Sequence, residues 1–376
     1  MRFSAPVRIV QFVLCAAALQ PAGVALGQGR LAEPVSGFYA AASAVFSQDG
    51  RTLYVANAAR ADFGMYSGRG AISRVKVGPD GEMTIDAAKL VDGLNAPLGI
   101  TLLPTRVGDF PADSLVVAVG GRWAMVDRNT PVADPRERET GLLFFDPSSG
   151  ARLGAVYLGT GSGLETVLGH AMFDPSHVVF DGQGTAFVSD VAGMGLRQRF
   201  GAEGIRPGIF RLTPAALQAL ARGETPAAAE VSFLDVPEIA GGIAWSEKEN
   251  TLYWATGPGY GGLAGAVLRL EGGSFGPGGS IDTVHKEIRP MVGACLTNNG
   301  SLIVAHADGS MGVLKRGRGK VRPIKFRERT VFLSPGQPAA TTLADGRVLV
   351  VVPEMASGGR PAWRQRLQVF TLPSEY

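Results

Sequence analysis

The chain is poor in the residues that usually announce an activity. Its 376 residues include two cysteines, Cys15 and Cys295, and four histidines, His170, His177, His285 and His306. Two distant thiols exclude a Cys-x-x-Cys redox pair, a thiolate zinc site and a haem attachment motif. No His-Glu-x-x-His occurs either. An excess of one charge is also missing: 36 basic against 33 acidic side chains leave a formal +3. The molecule as a whole therefore shows no electrostatic preference for nucleic acid. After the first 27 residues no apolar run is long enough to span a bilayer.

Two glycine-rich segments look informative and are not. Gly257-Pro258-Gly259-Tyr260-Gly261-Gly262 has dinucleotide-fingerprint spacing, but Gly265–Leu270 after it reads as a strand, not the helix that would hold a pyrophosphate. Gly159-Thr160-Gly161-Ser162-Gly163 lacks a P-loop lysine and the spacing of a nucleophile elbow.

Residues 1–27 read as a secretory signal peptide. Arg2 and Arg8 precede the apolar stretch Ile9–Leu19, and small residues lead to a cleavage site after Gly27. Leu14 stands where a lipobox before Cys15 wants Gly or Ala, which argues against lipidation. The expected location is periplasmic or secreted, with no transmembrane segment once processed. Residues 28–376 form a single domain, whose lone Cys295 excludes an internal disulfide.

What is present is repetition. Six times a short apolar run reaches a Gly- or Asn-containing turn and a second β-rich run follows. The copies are 43–57, 97–121, 175–190, 241–256, 291–308 and 337–354. Their anchors Leu53, Leu115, Ala186, Leu252, Leu302 and Val348 lie 62, 71, 66, 50 and 46 residues apart. That spacing is too uneven for a tight solenoid and suits propeller blades carrying insertions. The fold class is all-β: a six-bladed β-propeller of four-stranded antiparallel blades with one short inserted helix. Thr213-Pro214 caps and opens that helix, and Gly223 stops it. Blade six lacks a fourth strand after Leu372, and residues 34–40 are expected to supply it and close the ring.

Hairpin geometry also locates a candidate site. The starts of the first strands and the ends of the second share one face, around the mouth of the channel. That face gathers Asn57, Arg122, His177, Asp190, His306, Asp308 and Glu354, with Trp123 and Tyr260 as apolar walls. The polar insertions 122–140 and 191–207 begin there. His177 and His306, with Asp190, Asp308 or Glu354, form the one set able to hold a divalent metal or do acid–base work. The sequence otherwise leaves the cofactor open. Elsewhere, Lys315–Arg329 holds eight basic residues against the single acid Glu328. It reads either as a contact for an anionic surface or as a solvated edge hairpin.

Segments such as Ala96-Pro97-Leu98-Gly99-Ile100 and Ala186-Phe187-Val188-Ser189-Asp190 resemble the senescence marker protein/gluconolactonase family and NHL-type propellers. Thr52-Leu53-Tyr54-Val55-Ala56-Asn57, followed by Gly70–Val75, resembles the YVTN-type repeat. The resemblance covers nearly the whole chain after residue 27 and concerns fold more than activity. It implies a channel metal held by a Glu, an Asn and an Asp. The aligned positions here are Ala42, Leu98 or Ser176, and Val292, so the implied ligands are missing.

Two functions follow as expectations. One is an exported hydrolase of lactones or related esters, with His177 as base, Asp190 and Glu354 orienting it or a metal, and Arg122 stabilising an oxyanion. The other is a non-catalytic periplasmic propeller that binds a small molecule or a protein partner. Neither involves nucleic acid.

Overall fold

The structure is a computed structural model. It describes residues 28–58, 70–120, 140–191, 207–236, 240–256, 265–271, 275, 280–287, 289–326, 332, 335–355 and 366–376, and the backbone of 123–125 and 131–133. The expected signal peptide, Arg122 and Tyr260 lie outside the described residues.

Each copy of the repeat is an antiparallel sheet, and six sheets form a ring of blades. Blade one runs Ala41–Phe46, Thr52–Asn57, Gly70–Val77 and Met83–Leu94 from the axis outward. Blade two is Pro97–Leu102, Leu115–Val119, Gly141–Phe145 and Arg152–Tyr157, and blade three is Pro175–Phe180, Ala186–Asp190, Gly208–Leu212 and Val231–Asp235. Blade four contains Ala240–Ser246, Thr251–Thr256, Ala266–Glu271 and Asp282–Lys286, and blade five Met291–Leu296, Leu302–His306, Met311–Leu314 and Arg322–Pro323. Blade six has Ala339–Thr342, Val348–Pro353 and Arg366–Leu372.

Local chemistry explains the hairpins. In blade one, Asp49 Oδ1 accepts from Ser47 Oγ at 2.6 Å and Arg51 N at 3.0 Å, while Gly50 takes φ 69°. Asp181 and Asp345 repeat the arrangement, each accepting from the amide two residues on at 3.0 Å. A short carboxylate that hydrogen-bonds its own backbone, followed by glycine, specifies such turns locally.

Second strands are apolar on both faces because every blade packs against two neighbours. Six hydrophobic clusters map one to each seam. Tyr54 and Ile72 meet Val117 and Leu143 between blades one and two, and Phe187 and Ile209 meet Ile243 and Trp254 between three and four. The seam of blades two and three is the largest, with Phe110 stacked on Phe144 at 3.8 Å. Two short helices widen it. Pro214–Ala221 is capped by Thr213 as expected, and Gly163–Leu168, which sequence reading passes over, is capped by Ser162. Their buried Leu217, Leu220 and Leu164 join that cluster.

The N-terminal segment closes the ring, earlier in the sequence than expected. Gln28–Leu31 and Val35–Ser36 pair antiparallel with Arg366–Leu372, as in Leu31↔Phe370 and Val35↔Leu367. Residues 37–40 instead climb to blade one, with Gly37 at φ 106° and Ala40 at φ 50°. The basic run is not one outer hairpin. Arg322–Pro323 ends blade five, and Lys325–Phe326 crosses to pair parallel with Gln28–Leu31 at the edge of blade six. Pro323 has no N–H to continue the first ladder.

Candidate functional site

Six residues occupy equivalent places where the second strands end: Asn57, Val119, Asp190, Thr256, His306 and Glu354. They pair with Ala41, Pro97, Pro175, Ala240, Met291 and Pro335 at the starts of the inner strands. The expected face therefore exists, but all six side chains are buried.

Their polar atoms are used to tie the chain down. Asn57 Oδ1 accepts from Tyr39 N at 3.2 Å, and its amide donates to Ser73 Oγ at 2.9 Å. Asp190 accepts from Phe173 N at 2.8 Å and Asp174 N at 2.9 Å, pinning the segment that leads into blade three. Thr256 Oγ1 accepts from Ala266 N at 2.6 Å. Glu354 accepts from Arg366 Nε at 3.0 Å. These groups satisfy backbone and ion-pair demands at the strand ends, which is what buried polar groups usually do. Asp190 and Glu354 are thus engaged away from His177.

His306 and Asp308 belong to a separate cluster between blades four and five. His306 is fully buried, its Nε2 bonded to Glu287 and its Nδ1 3.2 Å from Ser310 Oγ. Glu287 also accepts from Arg289 at 2.6 Å. Asp308 accepts from Ser310 N at 2.9 Å and Ser310 Oγ at 2.6 Å, a turn cap. Trp123 opens a two-stranded ribbon, Trp123–Met125 against Pro131–Ala133, within the insertion of blade two. The structure does not bring His177 and His306 together. Among the described residues no three His, Cys, Asp or Glu side chains are placed to hold a metal ion.

Of the described members of the expected catalytic set, His177, Asp190 and Glu354, it is His177 that lines the channel. It lines a central cavity of about 380 Å³ walled by the inner strands of all six blades. The cavity runs from Gly99, His177 and Gln337 to the hairpin turns at Gln48, Pro104 and Asn298. Its imidazole Nδ1 lies 3.4 Å from Ser189 Oγ, which is 3.0 Å from Ser176 Oγ. His177 is partly buried, and the protein packed around its ring lowers its pKa to about 4. Burial likewise raises the Cys295 thiol well above its usual range, leaving it protonated and inert.

At its strand-start end the channel is crowded by backbone. Neighbouring inner strands approach so tightly that a β-carbon on Gly99 would sit 2.7 Å from Ser176 O, and one on Gly293 2.5 Å from Gly336 O. Gln337 bridges the remaining gap. Its amide oxygen accepts from Ala294 N at 3.0 Å, and its amide nitrogen donates to Ala294 O and, at 3.2 Å, to Ile243 O. Beside this constriction Ala42, Ala58 and Leu98 form a small apolar cluster with Met355. Ala42 and Leu98 are two of the positions where the family resemblance implies oxygen ligands. A hard cation needs several oxygens, and this set does not fit one.

Sequence reading missed the channel walls, among them Trp245, Cys295 and Gln337. In five blades the inner strand shifts register just after its first residue, as between Pro175 and His177 or Met291 and Gly293. A one-residue slip exchanges the faces of a strand, and no sequence signal marks these bulges.

No protein-family model and no curated protein sequence matches the chain. Solved structures do. A gluconolactonase from Xanthomonas campestris superposes with a TM-score of 0.55 at 16% identity, covering 94% of this chain and 99% of that one. The PQQ-bound aldose sugar dehydrogenase of Streptomyces coelicolor gives 0.54 at 16%, covering 92% and 98%. The chain shares the six-bladed fold of these propellers, in keeping with its gluconolactonase-like sequence features.

Proposed function

We propose that this chain is an exported, gluconolactonase-like propeller that works by binding a small molecule rather than by metal-dependent lactone hydrolysis. The observation that carries this reading is the apolar cluster of Ala42, Ala58 and Leu98 with Met355, set where the resemblance implies a metal centre. Asp190 and Glu354 support it as well, because each is spent on a structural contact. Function resides in the site and not in the fold, and this site offers a shaped cavity without the ligands for a Lewis acid.

Hydrolysis of a lactone or related ester is the second reading. It is favoured by the position of His177 on the channel wall with Ser189 behind it. A histidine held near pKa 4 is a weak base at neutral pH. The two readings separate on purified protein assayed for bound divalent metal and for turnover of a lactone and ester panel. Binding predicts no stoichiometric metal and no turnover. Metal-dependent turnover abolished by His177→Ala would establish hydrolysis instead.

A further inference from the structure

We propose that the channel is a binding site for a small uncharged molecule bearing a carbonyl oxygen, admitted from the hairpin-turn face. This rests on the binding reading above and names the ligand class. The first argument is direction. The close strand contacts at Gly99, Gly293 and Gly336 and the bridging Gln337 amide obstruct one end, while the cavity reaches exposed Gln48 and Asn298 at the other.

The second argument is charge. Among the described residues no Lys, Arg, Asp or Glu lines the cavity. Its walls are largely apolar side chains and inner-strand backbone, and an ion placed there would lose its hydration without a partner. The volume of about 380 Å³ falls at the lower end of small-molecule sites. The wall is also fixed in advance. Trp245 stacks on Phe187 at 4.9 Å, and its Nε1 donates to Glu247 Oε2 at 2.8 Å. A pre-ordered wall reduces the entropy lost on binding.

The third argument is polar. Both N–H groups of the Gln337 amide donate to backbone, so it has no donor left for a ligand. His177 is different. When Ser176 donates to Ser189 and Ser189 donates to Nδ1, the imidazole keeps its proton on Nε2. Nε2 has no hydrogen-bond partner among the described residues, and His177 lines the cavity. With that tautomer it presents a donor to a channel whose other polar side chains, Thr101 and Thr341 among them, are uncharged, and this suits a carbonyl acceptor.

Calorimetric titration of the full chain with coumarin, coumarin-3-carboxylate and naphthalene tests the assignment. Coumarin should bind at least tenfold more tightly than its carboxylate. His177→Leu should weaken coumarin two- to tenfold, the usual worth of one hydrogen bond, and leave naphthalene unchanged. Ala340→Phe, which fills the channel, should abolish both. Equal binding of coumarin and its carboxylate, no binding of coumarin, or binding that survives Ala340→Phe would overturn the assignment while leaving a binding role elsewhere intact. Hydrolysis of the coumarin lactone, followed by absorbance, would instead overturn the binding reading and leave the channel occupied as described.

Discussion

A β-carbon on Gly336 would stand 2.1 Å from the carbonyl oxygen of Ala42, so the last inner strand of the ring lies directly on the first. The same oxygen accepts from Gln337 N at 2.8 Å. This contact joins blade six to blade one beside the channel. Gly336→Ala should force these backbones apart and destabilise the fold by about 1–3 kcal/mol, the usual cost of overpacking. Thermal denaturation checks this, and an unchanged midpoint would mean the strands do not meet so closely.

Asp190 gives a second test, because its structural and catalytic readings predict different losses. Asp190→Ala leaves the amides of Phe173 and Asp174 without their acceptor. At roughly 1–3 kcal/mol for each buried group left unpaired, the variant should unfold at clearly lower urea, with Asp190→Asn between it and the native chain. A variant of native stability would return Asp190 to the list of reactive residues.

The third prediction concerns acid stability. His177 titrates in the unfolded chain near the ordinary 6.5, whereas burial holds it at about 4 in the folded one. Between those values the unfolded state binds the extra proton. Stability contributed by the neutral imidazole is therefore complete above about pH 6.5, falls as pH drops toward 4, and levels below that. The loss amounts to at most ~3 kcal/mol. Urea midpoints of the native chain should fall relative to those of His177→Leu across this window on acidification, and parallel curves would contradict the placement of His177.

Along blade five, Lys315, Arg316, Arg318, Lys320 and Arg322 are exposed and make no ion pair among the described residues. Other cations pair closely, as Arg74 does with Asp86 at 2.7 Å and Arg347 with Asp345 at 2.6 Å. Charge reversal at Arg318, Lys320 and Arg322 should change stability by less than about 0.5 kcal/mol and abolish salt-sensitive retention on an anionic column. Unaltered retention would identify the run as a solvated edge.

Blade number and hairpin positions were legible because their causes are local. Asp49-Gly50 and Asp345-Gly346 specify turns by side-chain-to-backbone bonds and positive φ, and Thr213-Pro214 marks a helix start. The seams are built by second strands such as Leu115–Val119, which are apolar throughout. Side-chain direction was not legible. Asn57 and Asp190 lie on the expected face, yet their partners, Tyr39, Phe173 and Asp174, are set by how loops dock and not by the repeat. The inner-strand bulges reassigned the channel wall, and the constriction depends on distances between strands far apart in sequence. The N-terminal strand was displaced for a similar reason, because the climb through residues 37–40 needed length the repeat does not reveal.

The central claim is that the channel, crowded by backbone at its strand-start end, serves as a neutral pocket reached from the hairpin turns. A crystal soaked in 6-bromocoumarin measures this directly through the bromine anomalous signal. The account predicts a peak inside the channel near His177 and Trp245, with no metal peak beside Ala42 and Leu98. A bromine peak on the Ala42–Leu98 side of Gln337, or a bound metal there, would contradict it.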